Sequence, residues 1–305
     1  MNKRILILSR REDRAAYDQK NTIEAAISGL ETSNEYVVDE YEALTFVYDG
    51  ADLSVLLSDG VTDVSDFDTV FFMAWFKTPI LEDVALSAAM YANAKGARVV
   101  NSEVLYTRSR SKLSQCVVAA LNGIKTTPFI FSIDAAKLRS ALESRWQAGF
   151  PIIMKGVRAN RGNDNYLVKS LEEAVDTLAS QVDEDGPWFI VQSFVPNNGD
   201  YRIIVMGSEV TAVIHRLAQD GTHLNNTSKG GTATYSPVDV LPKEVVEQSV
   251  RLSTLPRREI TGVDMIQHAE TGEFYLLEIN NMPQLATGSF VENKFVQLDN
   301  YLGSI

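Results

Sequence analysis

Cysteine is nearly absent from this sequence of 305 residues, which contains only Cys116. A single cysteine cannot form an intrachain disulfide, so the sequence favours a reducing compartment, and we expect a cytoplasmic protein. Cys116 lies in an apolar-periodic stretch, where a cysteine usually acts as a small buried side chain. A disulfide-stabilised secreted scaffold is therefore not expected.

Long apolar runs and an excess of positive charge are also missing. No apolar segment approaches the length that is needed to cross a bilayer, and the first residues predict a buried strand rather than a signal peptide. The 40 acidic and 28 basic residues give a net charge of −12, which disfavours attraction to a nucleic acid backbone. We therefore expect neither a membrane nor a nucleic acid as a partner.

Several well-known catalytic patterns are absent as well. The sequence has no G-x-x-x-x-G-K-[ST] or G-x-G-x-x-G phosphate loop, no H-E-x-x-H zinc motif and no G-x-S-x-G nucleophile turn. Its three histidines, His215, His223 and His268, lack the spacing of metal ligands. Nucleophilic hydrolases and structural zinc proteins are therefore poor interpretations.

The order of helix and strand patterns divides the chain into three segments. Residues 1–105 predict a small α/β sheet, residues 106–195 a small α+β lobe, and residues 196–305 an antiparallel sheet. Helices are predicted at Ile80–Ala94, Asp134–Gln147, Leu171–Gln181, Lys243–Leu255 and Val291–Tyr301, with a mostly helical stretch at Ser102–Gly123. Strands are predicted at Ile5–Leu8, Thr69–Phe76, Arg98–Val100, Thr127–Ser132, Pro151–Lys155, Tyr166–Lys169, Trp188–Phe194, Arg202–Met206 and Val210–Arg216.

The most informative pattern is a predicted hairpin over residues 262–280. If its turn centres on Thr271, Asp264 faces Glu278 directly, and Asn280 projects from the same side as Glu278. Opposed carboxylates cost stability, and a divalent cation removes the conflict because two carboxylates and an amide oxygen suit Mg²⁺. The alternative is a solvated hairpin edge with incidental acids, and a register one residue different would put the acids on opposite faces.

Two features upstream of this hairpin suit a nucleotide. Lys155 closes a strand pattern and precedes a polar loop with Gly162, an arrangement in which the lysine and the loop amides can hold phosphates. The run Gln192–Val195 leaves a buried strand, where backbone groups suit the edge of a purine and apolar side chains suit its face. Each feature also has an ordinary interpretation, as a strand-edge lysine before a turn and as a simple strand end.

Arginines and a long polar loop form a third feature. Arg202, close after Asp200, and Arg216 lie at the two ends of a predicted hairpin, and both guanidiniums reach one anion if the register puts them on one face. Arginine is the favoured residue for bidentate phosphate or carboxylate contacts. The loop at 218–232 adds Asn225 and Asn226; a loop of this length is commonly functional, although a solvated connection is the ordinary interpretation.

Taken in their order along the chain, these features resemble an ATP-grasp ligase, most closely the branch of ribosomal-protein glutamate ligases (RimK-like). The similarity extends over roughly residues 68–283, and the hairpin has the Asp…Glu-x-Asn-x-x-Pro pattern of the family, with Lys155 and Arg202 upstream. The resemblance implies an ATP-grasp fold of α/β and α+β class. It has an N-terminal α/β domain (1–105), a central lobe (106–195) and a C-terminal lobe (196–305), with the nucleotide between the two lobes.

The resemblance also implies roles for individual residues. Nucleotide contacts are expected from Lys112, Lys155, Gly162, Gln192, Ser193, Phe194, Val195, Asp200 and Asn225. Catalytic contacts are expected from Arg202, Arg216 and Asn226, and metal ligation from Asp264, Glu278 and Asn280. The sequence departs from the family at the hinge, where Ser193 replaces the usual Glu, in the less glycine-rich Arg161–Asp164 loop, and at Leu224 and Gln284, which border the acceptor side.

The reaction that the resemblance implies has two steps. ATP phosphorylates a carboxylate, and an amine then attacks the acyl phosphate to form an amide, with release of ADP and phosphate. The implied cofactors are ATP and Mg²⁺, with Mn²⁺ as a substitute, and the expected partners are a carboxylate and an amine acceptor (an amino acid such as glutamate, a peptide or a protein tail). A homodimer or tetramer is also expected. Two alternatives stay open, a kinase-like ATP-grasp phosphotransferase and a nucleotide-binding regulatory module without turnover.

Overall fold

The computed structural model describes residues 2–11, 19–73, 78–106, 111–157, 164–180, 188–218, 231–281 and 283–305. Within these ranges the α-helices are α1 (Gln19–Ser28), α2 (Pro79–Ala94), α3 (Lys112–Leu121), α4 (Ala135–Arg145), α5 (Leu171–Ser180), α6 (Lys243–Thr254) and α7 (Val291–Ser304). None of these helices is long and apolar enough to cross a membrane. The strands of the same ranges form three main sheets, one in each of the three segments that the sequence patterns define.

The first sheet consists of four parallel strands in the order β2-β1-β5-β6. They are β1 (Arg4–Ser9), β2 (Glu35–Glu40), β5 (Thr69–Phe72) and β6 (Arg98–Val100). The apolar runs of β1 and β5 are buried on both faces, as expected for central strands of a parallel sheet. A separate antiparallel hairpin, β3 (Thr45–Tyr48) and β4 (Leu53–Leu56), follows β2.

The second sheet is antiparallel, with the order β7-β10-β8-β9. Its strands are β7 (Phe129–Phe131), β8 (Ile152–Gly156), β9 (Asn165–Val168) and β10 (Phe189–Ser193). One face packs Met154 and Val191 against Leu138 and Leu142 of α4. Lys155 therefore projects from the other face, because successive side chains of a strand alternate.

The third sheet has five antiparallel strands in the order β13-β12-β11-β14-β15. They are β11 (Asn197–Met206), β12 (Glu209–Leu217), β13 (Thr232–Ser236), β14 (Ile260–His268) and β15 (Phe274–Asn280). Helix α6 covers one face through Val245 and Leu252. On the other face, Ile204 and Ile260 share a core with Phe295 of α7 and Ile7 of the first sheet, so the first and third segments are packed together.

Most predicted helices and strands are present, with ends that differ by a few residues. The strand predicted at Thr69–Phe76 ends at Phe72, and residues 74–77 lie outside the described residues. The stretch predicted as mostly helical, Ser102–Gly123, contains a 3₁₀ turn at Ser102–Leu105 and then α3. The sequence patterns missed α1, β2, β3, β4 and β13. These elements lie at sheet edges or bury few side chains, so their hydrophobic periodicity is weak.

Candidate active site

The register of the third sheet brings charged residues onto one face. Arg202 of β11 lies opposite Asp264 of β14, which in turn lies opposite Glu278 of β15. At the neighbouring position of the ladder, Asp200 of β11 pairs with Arg216 of β12. Side chains two apart on a strand, and side chains directly opposed on neighbouring strands, share a face. All five side chains therefore project from the same side of the sheet.

The predicted register of the carboxylate hairpin is confirmed where it matters for the site. Asp264 faces Glu278, and Asn280 faces Gly262. Nearer the turn the register shifts by one residue, because Leu277 is skipped between the pairs on either side of it. The regular ladder that the sequence analysis assumed is therefore wrong below this bulge, although the three predicted metal ligands still share one face.

Four of these side chains form a buried network that we call the four-ion cluster, made of Asp200, Arg202, Arg216 and Asp264. Arg202 donates from Nε and Nη2 to the two carboxylate oxygens of Asp264, at 2.9 and 2.8 Å. Arg216 donates in the same bidentate way to Asp200, at 2.7 and 2.9 Å, and its Nη2 lies 3.0 Å from Asp264 Oδ2. Each side chain is at most 10% exposed, so these charges interact with little solvent screening.

The electrostatics of the cluster keep its central members charged. Burial alone disfavours the ionised form of Asp264, but Arg202 and Arg216 outweigh burial and lower the pKa of this carboxyl to about 2. Burial also opposes the charge on Arg216, whereas Asp264 and Asp200 raise the pKa of its guanidinium above the ordinary value. Asp264 and Arg216 are therefore ionised throughout the neutral pH range.

Two lysines from the second segment approach the same face. Lys112, the first residue of α3, places Nζ 3.8 Å from Oε1 of Glu278. Lys155 projects from the sheet face opposite α4 and α5; burial lowers the pKa of its ammonium group and nearby Lys112 lowers it further, while Glu278 acts in the opposite direction. Together with the four-ion cluster and Glu278, the two lysines give four cationic and three anionic side chains.

The predicted adenine-binding hinge, Gln192–Val195, is held by hydrogen bonds to other parts of the protein. The Gln192 side chain, which is 2% exposed, donates Nε2 to Thr127 Oγ1 at 2.9 Å and approaches Cys116 Sγ at 3.5 Å. The backbone amides of Ser193 and Phe194 donate to the carbonyls of Pro128 and Pro151, at 3.1 and 3.3 Å. The buried position that the sequence predicts for Cys116 is confirmed, with 2% exposure.

One hinge atom is left without a hydrogen-bond partner. The hydroxyl Oγ of Ser193 is buried, and the described residues offer it none. Since buried hydroxyl groups are normally satisfied, this atom is the one at the hinge that a bound ligand or a water can serve.

The oxygen donors on the third sheet suit a hard divalent cation. Asn280 donates from Nδ2 to Asp264 Oδ2 at 3.1 Å, which leaves its side-chain oxygen Oδ1 for another partner. Glu278 is the most exposed of the acids, at 32%. The described part of the chain contains no group of three or more His, Cys, Asp or Glu side chains that could hold a metal, so a metal here would rely on two carboxylates and one amide.

Two residues beyond the hairpin support Arg202. Lys294 was not predicted to have a role, and Gln284 was predicted only to border the acceptor side. Gln284 accepts a hydrogen bond from Arg202 Nη1 at 2.7 Å. Lys294 of α7, which is 2% exposed, donates from Nζ to the backbone carbonyls of Gln284 and, at 2.8 Å, Thr287. Burial, and then repulsion from Arg202, lowers the pKa of Lys294 to about 8. The single sequence signal for this support was the departure from the family pattern at Gln284.

The structure thus brings together most of the predicted site residues. Lys112, Lys155, the four-ion cluster, Glu278 and Asn280 converge, and the hinge lies in the same second sheet as Lys155. The predicted residues Gly162, Asn225 and Asn226 lie outside the described residues.

Comparison with known proteins gives a consistent result. A profile described as the RimK-like ATP-grasp domain matches residues 109–295, well over half of the chain. A protein of Hahella chejuensis named probable alpha-L-glutamate ligase 2 is 27% identical over 248 residues, covering 78% of this chain and 75% of its own length. An Escherichia coli protein named ribosomal protein bS6–L-glutamate ligase is 23% identical over 209 residues, covering 66% of this chain and 67% of its own.

A solved structure is similar over its whole length. It is a Chryseobacterium gregarium RiPP-associated ATP-grasp ligase in complex with ADP and a leader and core peptide. The two chains superpose with a TM-score of 0.67 at 16% identity, covering 100% of this chain and 98% of the other. At that identity the likeness establishes the fold.

Proposed function

The chain belongs to the RimK-like ATP-grasp family, and from that premise we propose that it is an ATP-dependent carboxylate–amine ligase. In this reaction ATP phosphorylates a carboxylate substrate, and an amine displaces phosphate from the acyl phosphate to form an amide. The observation that carries the proposal is the single face on which Arg202, Asp264 and Glu278 line up across three strands, with Lys112 and Lys155 approaching from the second segment.

The charge on this face suits a polyanion that brings its own metal. The four cationic and three anionic side chains have a formal charge of +1. A nucleoside triphosphate with a bound divalent cation is still a net anion. Its negative charge and the positive charge of this face therefore largely offset each other, and the occupied site carries only a small net charge. Because the partners that the described residues give the two arginines are side-chain oxygens, those of Asp200, Asp264 and Gln284, rotation of side chains is enough to turn the guanidinium groups toward phosphoryl oxygens.

Each residue then has a defined task in the proposed reaction. Lys112 and Lys155 hold phosphate oxygens, and Arg202 and Arg216 stabilise charge on the transferred phosphoryl group. Asp264, Glu278 and Asn280 would provide oxygen ligands for Mg²⁺, which would neutralise negative charge on the phosphates. Ser193 and the backbone of Val195 would hold the adenine. We place the nucleotide between the lobes 106–195 and 196–305.

We further propose an amino acid such as glutamate as one partner and a peptide or protein tail as the other. Support comes from the names of the relatives, one of which is a glutamate ligase for a ribosomal protein, and from the peptide bound in the similar structure. Gln284, which contacts Arg202, and Lys294 behind it are the residues through which this chain would position the acceptor.

The test is ADP formation by Glu278→Gln in the presence of Mg-ATP and a panel of carboxylates. Removing one ligand charge from the metal is expected to lower the rate by at least about 100-fold with an unchanged circular dichroism spectrum. Glu270→Gln, an exposed acid in the turn before β15, is the matched control and should keep the wild-type rate. Wild-type turnover by Glu278→Gln would contradict the assignment of the metal site.

A further inference from the structure

The strand that carries two of the proposed metal ligands is an edge strand. Among the strands that the structure describes, β15 pairs with β14 alone, apart from a single bridge between Thr126 and Leu276, so its outer side has backbone groups that need partners. At Leu276 the backbone amide donates to the carbonyl of Lys125 at 2.9 Å. Three residues further along, none of the described strands covers Ile279, and side chains from distant parts of the chain take that place.

Gln115 of α3 acts at Ile279 as a one-residue substitute for a paired strand. Its Nε2 donates to the Ile279 carbonyl at 3.0 Å, and its Oε1 accepts from the Ile279 amide at 2.8 Å. Gln115 is 5% exposed, so water cannot easily replace these bonds. Arg258 donates to the same carbonyl at 3.1 Å and is held by Glu103 at 2.8 Å.

Ile279 lies between Glu278 and Asn280, and its own side chain is 3% exposed in the core under α6. Its backbone is therefore held from the outer edge of β15, and its side chain is held in the core under α6. Glu278 and Asn280 project from the opposite face of the sheet, the face that α6 does not cover. A displacement of the Ile279 backbone therefore moves both of these side chains. Helix α3, which carries Gln115, also positions Lys112 one turn earlier, 3.8 Å from Glu278.

We propose that Gln115 is a positioning residue for the metal site, which sets the distance of Glu278 and Asn280 from Asp264 through the Ile279 backbone. The inference rests on the proposed function, since it concerns the ligands of that site. Residues that orient metal ligands typically change metal affinity by about 10–100-fold when they are removed. A purely structural role would change stability and leave metal affinity as it is.

The experiment compares wild-type protein with Gln115→Met, which keeps the length of the side chain and removes both hydrogen bonds. Gln248→Met, on the exposed side of α6, is the control. Hydrogen exchange of the Ile279 amide in the free protein is expected to accelerate only in Gln115→Met. Binding of Mn²⁺, followed by electron paramagnetic resonance with a non-hydrolysable ATP analogue, is expected to weaken by at least about 10-fold.

The outcomes separate this inference from the proposed function. Faster exchange at Ile279 with unchanged Mn²⁺ affinity would overturn the positioning role and leave the ligase proposal intact. Absence of Mn²⁺ binding by the wild-type protein would instead overturn the metal site itself. If Gln115→Met does not fold, Gln115→Asn keeps a buried amide that is too short to reach both backbone groups, and the same loss of Mn²⁺ affinity is expected from it.

Discussion

The two buried groups of charged residues, the four-ion cluster and the pair of Arg258 and Glu103, differ in the hydrogen-bond acceptors of their arginines. In the four-ion cluster, Arg202 and Arg216 donate to the side chains of Asp200, Asp264 and Gln284. In the second group, Arg258 is paired with Glu103, each 2% exposed, and also donates to the Ile279 backbone. Bonds between side chains can be exchanged for bonds to a substrate, whereas a bond to the backbone fixes the fold.

This difference separates a group suited to chemistry from a group suited to structure, although both consist of arginine and carboxylate. Glu103 also donates its backbone amide to the carbonyl of Arg257 at 2.9 Å, so the second group links residues that are far apart in the sequence. Burying an ion pair is costly, and breaking one leaves an uncompensated charge. The two groups should therefore respond differently to the loss of their arginine.

The largest effect is expected from Arg258→Met. Without Arg258 the Glu103 carboxylate is buried and unpaired, so the free energy of unfolding should fall by about 3–5 kcal/mol, measured by urea denaturation. The double variant Glu103→Leu/Arg258→Met removes both charges and should recover most of this loss. A single variant as stable as the wild type would show that the pair has no structural role.

Arg202→Met should give the opposite profile. Asp264 keeps Arg216 at 3.0 Å and is not left unpaired, so the free energy of unfolding should fall by less than it does in Arg258→Met. ADP formation should fall by about 100–1000-fold, as when a group that stabilises transition-state charge is removed. Arg139→Met, an exposed arginine of α4, is the control. If Arg202→Met lost stability and kept its activity, the division between the two groups would be wrong.

Lys294 extends the comparison to a buried cation that donates to backbone carbonyls and has no carboxylate partner among the described residues. Its pKa is lowered from 10.5 to about 8, so between these values the unfolded chain binds more protons than the folded protein. The free energy of unfolding should therefore rise with pH across this window, by about 3 kcal/mol relative to Lys294→Met.

The measurement is urea denaturation of the wild-type protein and Lys294→Met at pH 7 to 10.5. Below pH 8 the difference between the two proteins should be constant, because Lys294 is then protonated in both states of the wild type. A difference that stays constant over the whole range would mean that the pKa of Lys294 is not lowered by burial.

Much of the site was predictable because the sequence records strand alternation directly. Asp264, Glu278 and Asn280 fall on one face under the simplest hairpin register, and that part of the register is confirmed. The bulge at Leu277 was not predictable from strand alternation, which assumes a regular ladder. Beside the bulge, the Leu276 amide donates to the Lys125 carbonyl on the outer side of β15. The edge strands β2 and β13 also escaped prediction, because they bury few side chains and their hydrophobic periodicity is weak.

The supporting residues were beyond the reach of sequence patterns. Gln115 and Ile279 are 164 positions apart, and nothing in the local sequence of either residue indicates the contact. Gln192 was predicted to lie at the adenine, but its side chain is bound to Thr127, and the hinge atom that the described residues leave for a ligand is the hydroxyl of the neighbouring Ser193. Local patterns thus indicate which residues carry charge, while the fold decides which of them are already occupied.

The central claim, that this chain activates a carboxylate, is tested most directly by trapping with hydroxylamine. The purified protein is incubated with Mg-ATP, hydroxylamine and carboxylates, first amino acids and then short acidic peptides, and hydroxamates are detected by mass spectrometry. We predict a hydroxamate from one class of carboxylate, formed together with ADP and lost in Glu278→Gln. Carboxylate-dependent ADP without any hydroxamate would instead indicate a phosphotransferase, and the absence of both products would indicate a binding module.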